Sequence, residues 1–449
     1  STAASTYKKE AFYRELGIAA QTVQALYNVP ESVLGQCRKK CKWYYELHGG
    51  LSDGEFNRWF NEELVRKARS HRLPNIVVTT QGFYPGGAEI LPIRMANEFK
   101  RQGHSVLLLS GGHGQPEDGV RRMVRNDVPV VETSDLETTK NVFRDFGIEV
   151  LNSHQWHVQK YPIQLPDIFL NLKAHVASLH GMIEYGDAFG VTSEQLKVAH
   201  QNVSTWVYTA DKNLGPFIEH GLYEEGSRRF IKFPNGMEPP PEIRAVPRAE
   251  MGIPESAFVL CCVSRAIPDK GWQETIEAVA RARELSGQDL WLILVGNGPV
   301  YDEYCRTGVP EFVYLAGFNE NSVGYYASAN MGIMLTKFRS ESFPLTIVDC
   351  LFAGKPYIAS DIGEILNMLS TSDDVAGEVI TLKDWEIPIE KAAQVVAAFA
   401  TNKQKYMNAL KLVQDIANRY RIDVVASQYV RLFENSCKEY HLHSSEFRN

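Results

Sequence analysis

No apolar run in the 449 residues is long enough to span a bilayer, and the first residues show no secretion-signal pattern, so a membrane-embedded chain is not expected. Cysteine is scarce. The seven, at 37, 41, 261, 262, 305, 350 and 437, form neither CxxC pairs nor a secreted spacing, which excludes a disulfide framework and reads as buried reduced thiols. The compartment expected from this is the cytoplasm, with the cytoplasmic face of a membrane as an alternative. Basic charge is not in excess: 47 Lys and Arg stand against 54 Asp and Glu, a formal net charge of -7. That removes any general drive toward nucleic acid or anionic lipid, and no nucleic-acid partner is expected. The chain begins on Ser1 rather than Met, and is read as a processed protein, a tag remnant or a module of a longer polypeptide.

What is present is ample apolar material. At 44% hydrophobic and 11% aromatic residues, a chain of this length builds two domains and an appendage. The most informative stretch is ESFPLTIVDCLFAGKP, Glu341 to Pro356. Ser342 and Pro344 mark a turn, and Leu345, Val348, Leu351 and Phe352 recur at helical spacing, which predicts a helix from near Leu345 to Gly354. Glu341 then lies in the loop ahead of it and Asp349 one turn inside. The free N–H groups of a helix start attract anions, phosphate above all. Two carboxylates beside such a site make sense as acceptors for neighbouring hydroxyls, such as a hexose and a ribose offer. Asp349 is flanked by Ile347, Val348, Cys350 and Leu351, where a charge is costly without a partner. Two acids complementing a helix dipole are the alternative reading of the same spacing.

This pattern of two acids separated by seven residues, followed by Ala353, Gly354 and Pro356, resembles the donor-binding signature of retaining glycosyltransferases of family 4, which have the GT-B fold. The second acid, Asp349, is one methylene shorter than the Glu usual there. Pro344 replaces a usual glycine and has no N–H, so backbone donation to the donor falls to Phe343 or Leu345. Upstream, SRAIPDKGW places Arg265, Lys270 and Gly271 in a loop before a helix, where two cations suit a diphosphate. The resemblance assigns both cations to the nucleotide diphosphate. Gly296, Asn297 and Gly298 follow the strand LWLILV and are expected near the nucleotide.

In the first half, NIVVTT, QGFYPGGAEI, LPIRMANEFKRQGH and SVLLLS read as strand, glycine turn, helix and strand, a βαβ unit with ligand contacts at the turn. In the family, paired glycines here let backbone approach donor and acceptor, a role that falls to Gly86 and Gly87; a tight turn is the alternative for either. Further strands are expected at VPVVET, IEVLNS, AHVASLH and TWVYTA. The resemblance places His180, of a His-Gly pair, against the donor sugar and His154 in the acceptor region. His157 is read as structural, and three histidines without an adjacent carboxylate or cysteine make a poor zinc site. FPNGME resembles the family's interdomain crossover, with a Pro-rich linker after it. Residues 1–72 read as helices. Cys37 and Cys41 share a helix face, and Arg38, Lys39, Lys40 and Lys42 precede Trp43, Tyr44 and Tyr45, which suggests a membrane-surface or protein-docking patch or else a solvated helix face.

The resemblance, over about 75 to 435, implies an α/β protein of GT-B fold: two Rossmann-like domains facing across a cleft, with an N-terminal helical extension. The domains are drawn as 1–72 (extension), 73–240 (N-terminal, acceptor side), 241–415 (nucleotide-sugar side) and 416–449 (a helix crossing back). The implied reaction moves a sugar from a nucleoside diphosphate sugar to a hydroxyl of a glycan or glycolipid, with retention, in polysaccharide or glycoconjugate biosynthesis. Arg265 and Lys270 stabilise the leaving diphosphate, Glu341 orients the sugar, Asp349 holds the ribose and His180 contacts the sugar. No cofactor is expected. Without an Asp-x-Asp motif, no metal is required either. A nucleotide-sugar epimerase, a sugar phosphorylase or a silent GT-B scaffold are the alternatives.

Overall fold

A computed structural model describes residues 74–83, 87–111, 120–154, 172–180 and 192–446. The extension 1–72, with Cys37, Cys41 and its basic and aromatic run, lies outside the described residues, as do Gly86, His157 and Gly181.

Two parallel sheets organise the chain. The first runs through β1 (Asn75–Thr80), α1 (Gly87–Arg101), β2 (Ser105–Ser110), β3 (Val130–Glu132), α2 (Leu136–Phe146), β4 (Val150–His154), β5 (Ala174–Leu179), α3 (Ser193–Asn202), β6 (Thr205–Tyr208), α4 (Gly215–Glu219) and β7 (Phe230–Lys232). Strands β1, β2, β4 and β5 are buried along their whole length, as expected of parallel strands covered on both faces. The order is β3-β2-β1-β4-β5-β6-β7. Strands β2 and β3 build outward from one side of β1 and β4 returns on the other, so the sequence reverses direction between β1 and β4.

The second sheet is built from β8 (Phe258–Val263), α5 (Trp272–Ser286), β9 (Leu290–Val295), α6 (Pro299–Thr307), β10 (Val313–Gly317), α7 (Ser322–Ser328), β11 (Met331–Met334), α8 (Leu345–Phe352), β12 (Tyr357–Ser360), α9 (Ile365–Leu369) and β13 (Gly377–Ile380), followed by α10 (Ile389–Thr401) and α11 (Lys403–Asn418). Its order is β10-β9-β8-β11-β12-β13, with the reversal between β8 and β11. Open α/β sheets bind ligands outside the carboxyl ends of the strands at such reversals. Two crevices are therefore marked by topology: the ends of β1 and β4, and the ends of β8 and β11.

The final helix, α12 (Ile422–Glu446), belongs to the core of the first sheet, where Val425, Ala426, Tyr429 and Phe433 pack with Ile76, Val78, Phe99 and Val176. Phe433 meets Phe99 edge to face at 5.4 Å. Met237, in the outgoing connection, exchanges backbone bonds with the returning chain: its N–H donates to Tyr420 O at 2.8 Å, and Ile422 N–H donates to Met237 O at 2.8 Å. The approach is close just before it, where a Cβ on Gly236 would lie 3.0 Å from Ile422 Cα and would press the returning helix outward. The two crossings thus form one backbone joint between the domains.

One boundary differs from the sequence reading. The glycine turn was expected to run through Ile90, whereas the helix already starts at Gly87 and carries Pro92 inside it. Pro92 lies in the second turn, so its missing N–H forfeits only the bond to the carbonyl of Ala88, and the apolar face formed by Leu91, Ile93, Met95, Ala96 and Phe99 holds the helix to the sheet.

Candidate active site

At the end of β8 the chain makes a compact loop, Ser264 to Gly271, and at the end of β11 a second, Leu335 to Ser342. The two are stitched together by backbone: Lys337 N–H donates to Asp269 O at 2.9 Å and Thr336 Oγ1 to the same oxygen at 3.0 Å. Gly271 allows this approach. Its φ is +64°, and a Cβ there would lie 1.7 Å from Leu335 O. Gly298 serves the neighbouring loop in the same way, since its Cβ would meet Ala266 O at 2.7 Å, and Asn297 O accepts from Ala266 N–H at 2.9 Å. Both glycines are therefore required by loop packing in the free protein.

This scaffold concentrates charge. Lys270 and Glu341, 71 positions apart, are buried to 7% and 9% exposure and form an ion pair. The Lys270 ammonium also lies 4.8 Å from the centre of the Phe338 ring, and the Arg265 guanidinium 5.4 Å from the same ring. Arg265 is exposed and has no carboxylate partner among the described residues. Neither cation pairs with the neighbouring Asp269, since the acid that meets Lys270 is Glu341.

Beyond Glu341 the chain turns into α8. Pro344 starts the helix without a side-chain cap, and Ser342 Oγ is buried there without a hydrogen-bond partner. Phe343 points away from the loop, meeting the Tyr420 ring edge to face at 5.5 Å, and Leu345 packs against the same core. Asp349 faces α7, where Ser322 Oγ donates to its carboxylate at 3.2 Å. Burial pushes its pKa up to about 6, against the opposing pull of the Arg94 charge and the Ser322 bond.

Arg94 comes from α1 of the first domain, so its field reaches Asp349 across the cleft. It pairs with Glu238 of the crossover at 3.0 Å, while its Nη1 is buried without a hydrogen-bond partner. Further along the cleft, Lys232 bridges Asp211 and the buried Glu364, each at 2.8 Å, and Lys212 Nζ donates to Arg339 O at 3.0 Å. Glu364 is in turn tied to the acid loop, its N–H donating to Ser342 O at 2.8 Å. The domain contact and the Glu341 loop are thus mechanically continuous.

On the facing wall, His154 ends β4 and His180 follows β5. The rings stack with 14° between planes, and His154 Nδ1 lies 3.0 Å from His180 Nε2. Burial lowers the pKa of both, His180 to about 4. Of the glycine pair, Gly87 opens α1, and Gly86 lies outside the described residues.

The structure therefore gathers Arg265, Lys270 and Glu341 into one cluster, joins His154 to His180 in another, and sets Asp349 on the helix beside the first. Sequence reasoning missed Arg94, Asn152, Lys232 and Phe338. Arg94 carried a usable signal, a cation between Ile93 and Met95 on an apolar helix, the same argument that singled out Asp349. Among the described residues no helix is long and apolar enough to cross a membrane.

Residues 244–409 match the family model glycosyl transferases group 1, a span that holds Arg265, Lys270, Glu341 and Asp349. An N-acetyl-alpha-D-glucosaminyl L-malate synthase of Bacillus anthracis is 23% identical over 193 residues, 41% of this chain and 48% of the relative. The chain thus matches about half the length of that curated relative. Among solved structures, Anabaena Alr3699/HepE in complex with UDP and glucose is similar with a TM-score of 0.61 at 17% identity, covering 81% of this chain and 100% of the other. WaaG, a glycosyltransferase involved in lipopolysaccharide biosynthesis, gives a TM-score of 0.56 at 15% identity over 80% and 99%. With its two parallel Rossmann-like domains, the chain has the GT-B fold and carries a glycosyl transferases group 1 domain in its second half.

Proposed function

We propose that this protein is a retaining glycosyltransferase that moves a sugar from a nucleoside diphosphate sugar to a hydroxyl of a glycan or glycolipid. The observation that carries the reading is the cluster of Arg265, Phe338, Lys270 and Glu341 at the strand reversal of the second sheet. An exposed guanidinium without a carboxylate partner among the described residues suits a diphosphate, and the free N–H groups at the start of α8 add to the attraction. In the free protein Glu341 neutralises Lys270. A bound diphosphate competes for that ammonium, and Glu341 turns its remaining acceptor capacity to the hydroxyls of the sugar.

As the glycosidic bond breaks, charge grows on the diphosphate. Arg265 and Lys270 stabilise it in place, without reorganisation, and protein cations thereby take the part that a metal plays elsewhere. Asp349 accepts from the ribose. His180 holds the sugar from the facing wall, and His154, expected on the acceptor side, is fully buried with its ring nitrogens bonded to Asn152 and His180, so it backs His180 rather than meeting an acceptor. Closure is supported by the Lys232–Glu364 bridge, which links the first domain to the loop carrying Glu341. Retention of configuration rests on the likeness of the two-acid motif to retaining enzymes.

Alr3699/HepE was solved with UDP and with UDP-glucose, which makes the uridine nucleotide the first to test. Thermal shift with UDP, GDP and ADP, followed by turnover of the matching sugar nucleotide, separates binding from chemistry. A group 1 transferase binds one of the three with a clear rise in melting temperature. No shift with any of them contradicts the proposal.

A further inference from the structure

The two histidines of the first domain stand at the end of a buried hydrogen-bond chain that the proposed reaction leaves unexplained. Parallel pairing of β4 with β5 sets Asn152 opposite Val176 and His154 opposite Ser178. The chain runs from Tyr429 of α12, whose hydroxyl lies 3.1 Å from Ser178 Oγ, through Ser178 and Asn152 to His154 and then His180.

The direction of each bond follows from the first fixed donor. Asn152 Nδ2 donates to the backbone carbonyl of Val176 at 3.2 Å and to Ser178 Oγ at 3.3 Å, which spends both amide hydrogens. Its Oδ1 only accepts. His154 Nε2, at 3.0 Å from that oxygen, therefore carries a hydrogen. A singly protonated His154 then presents Nδ1 as a lone pair, and the hydrogen of the 3.0 Å contact must come from His180 Nε2. That leaves Nδ1 of His180 without a hydrogen.

We propose that Asn152 and His154 are positioning residues that lock His180 in its Nε2–H tautomer, so that Nδ1 accepts a hydrogen bond from a hydroxyl of the donor sugar and disfavours a sugar carrying a carboxylate there. This rests on the donor-site reading above. Burial keeps both rings neutral, and the charge bearing on His154 is that of His180 itself, with no carboxylate acting on either ring among the described residues. A hydroxyl satisfies the lone pair. A carboxylate offers no hydrogen at neutral pH, leaving two acceptors face to face, and a site built for a hydroxyl discriminates against such an analogue. The donor class selected is a neutral hexose rather than a hexuronic acid.

Two measurements on the full chain decide this. The first is long-range 15N–1H correlation on protein labelled with 15N-histidine, with the His180 signal identified by its loss in His180→Gln. The neutral Nε2–H pattern, unchanged from pH 5.5 to 8, is expected in the wild type. An Nδ1–H pattern, or titration of His180 within that range, overturns the proposal without recourse to any variant of the chain. In Asn152→Asp a carboxylate faces His154 and draws protonation of the pair into the same range; unaltered His154 and His180 signals in that folded variant also count against it. The second is calorimetry with UDP, UDP-glucose and UDP-glucuronic acid. At least tenfold weaker binding of the uronic acid than of the glucose donor is expected, and equal affinities overturn the selection. Absence of UDP binding would instead refute the donor-site reading, while the spectrum still decides the tautomer.

Discussion

The two walls of the cleft use polar residues in opposite ways. On the second domain's side the groups are charged and competing: Lys270 is shared between Glu341 and the Phe338 ring, Arg265 has no acidic partner among the described residues, and Asp349 is held in a site that disfavours its charge. At the ends of β4 and β5 in the first domain the groups are instead neutral, with Asn152, His154, His180, Ser178 and Tyr429 ordering one another's hydrogens. The charged wall suits a ligand that brings its own charge and changes it during reaction. The neutral wall suits hydroxyls. A diphosphate sugar has one end of each kind, so on the proposed function the contrast orients it in a cleft between two similar sheets.

The contrast breaks most severely at Lys270. Lys270→Ala should weaken UDP at least tenfold and lower transfer by a further factor on the order of a hundred, read by calorimetry and initial rates, because the ammonium acts on charge that grows in the transition state. It also leaves Glu341 buried without its partner, and breaking a buried pair costs about 3–5 kcal/mol, so a lower melting temperature is expected alongside.

Asp349 sharpens the comparison by separating stability from binding. A folded pKa of about 6 lies above the ordinary value of 3.8, so the native state holds the proton more tightly than the unfolded chain. Stability from this group is therefore present at low pH and lost as pH rises from about 4 through 6, a cost on the order of 2–3 kcal/mol at pH 7. Asp349→Asn should raise the melting temperature at pH 7 and do little at pH 4, while weakening UDP by about 1–3 kcal/mol for the lost charged acceptor. In the wild type, UDP affinity should fall as pH drops below 6. Unchanged UDP affinity in the folded Asn variant identifies a purely structural acid.

Smaller effects belong to the bridge between the walls and to metal. Lys232→Met removes a half-exposed link and should raise the KM for donor threefold to tenfold, and because it leaves the buried Glu364 without its cation it should also lower the melting temperature, measured by steady-state rates and thermal unfolding. Chelation should change least: with Arg265 and Lys270 serving the diphosphate, EDTA should leave most transfer intact, and complete loss restored by manganese contradicts that role.

Local features were legible in the sequence because their causes are local. The α8 helix follows from apolar spacing after Pro344, and the structure ends it at Phe352 with Gly354 at φ +75°. The Arg265–Gly271 loop announced itself as a strand end meeting a glycine and a helix. The pairings were not legible. Lys270 and Glu341 meet because two loops leave adjacent strands at a reversal of sheet order, and no spacing encodes a contact over 71 positions. The histidine chain depends on the register of β4 with β5, and Ser178 gains its partner Tyr429 from 251 positions away, on a helix that returns from the other domain. The glycines Gly271 and Gly298 were visible as loop residues, yet their need is set by carbonyls of neighbouring loops, Leu335 O and Ala266 O.

The central claim is that Lys270 serves the diphosphate and Glu341 the sugar, although the two are bonded to each other in the free protein. Calorimetry with UDP alone, on folded Lys270→Ala and Glu341→Ala, tests it most directly. The account predicts that Glu341→Ala binds UDP as tightly as the wild type or more tightly, since the competitor for Lys270 is gone, even as transfer falls about a hundredfold, and that Lys270→Ala loses UDP affinity at least tenfold. Equal loss of UDP binding in both variants would contradict it.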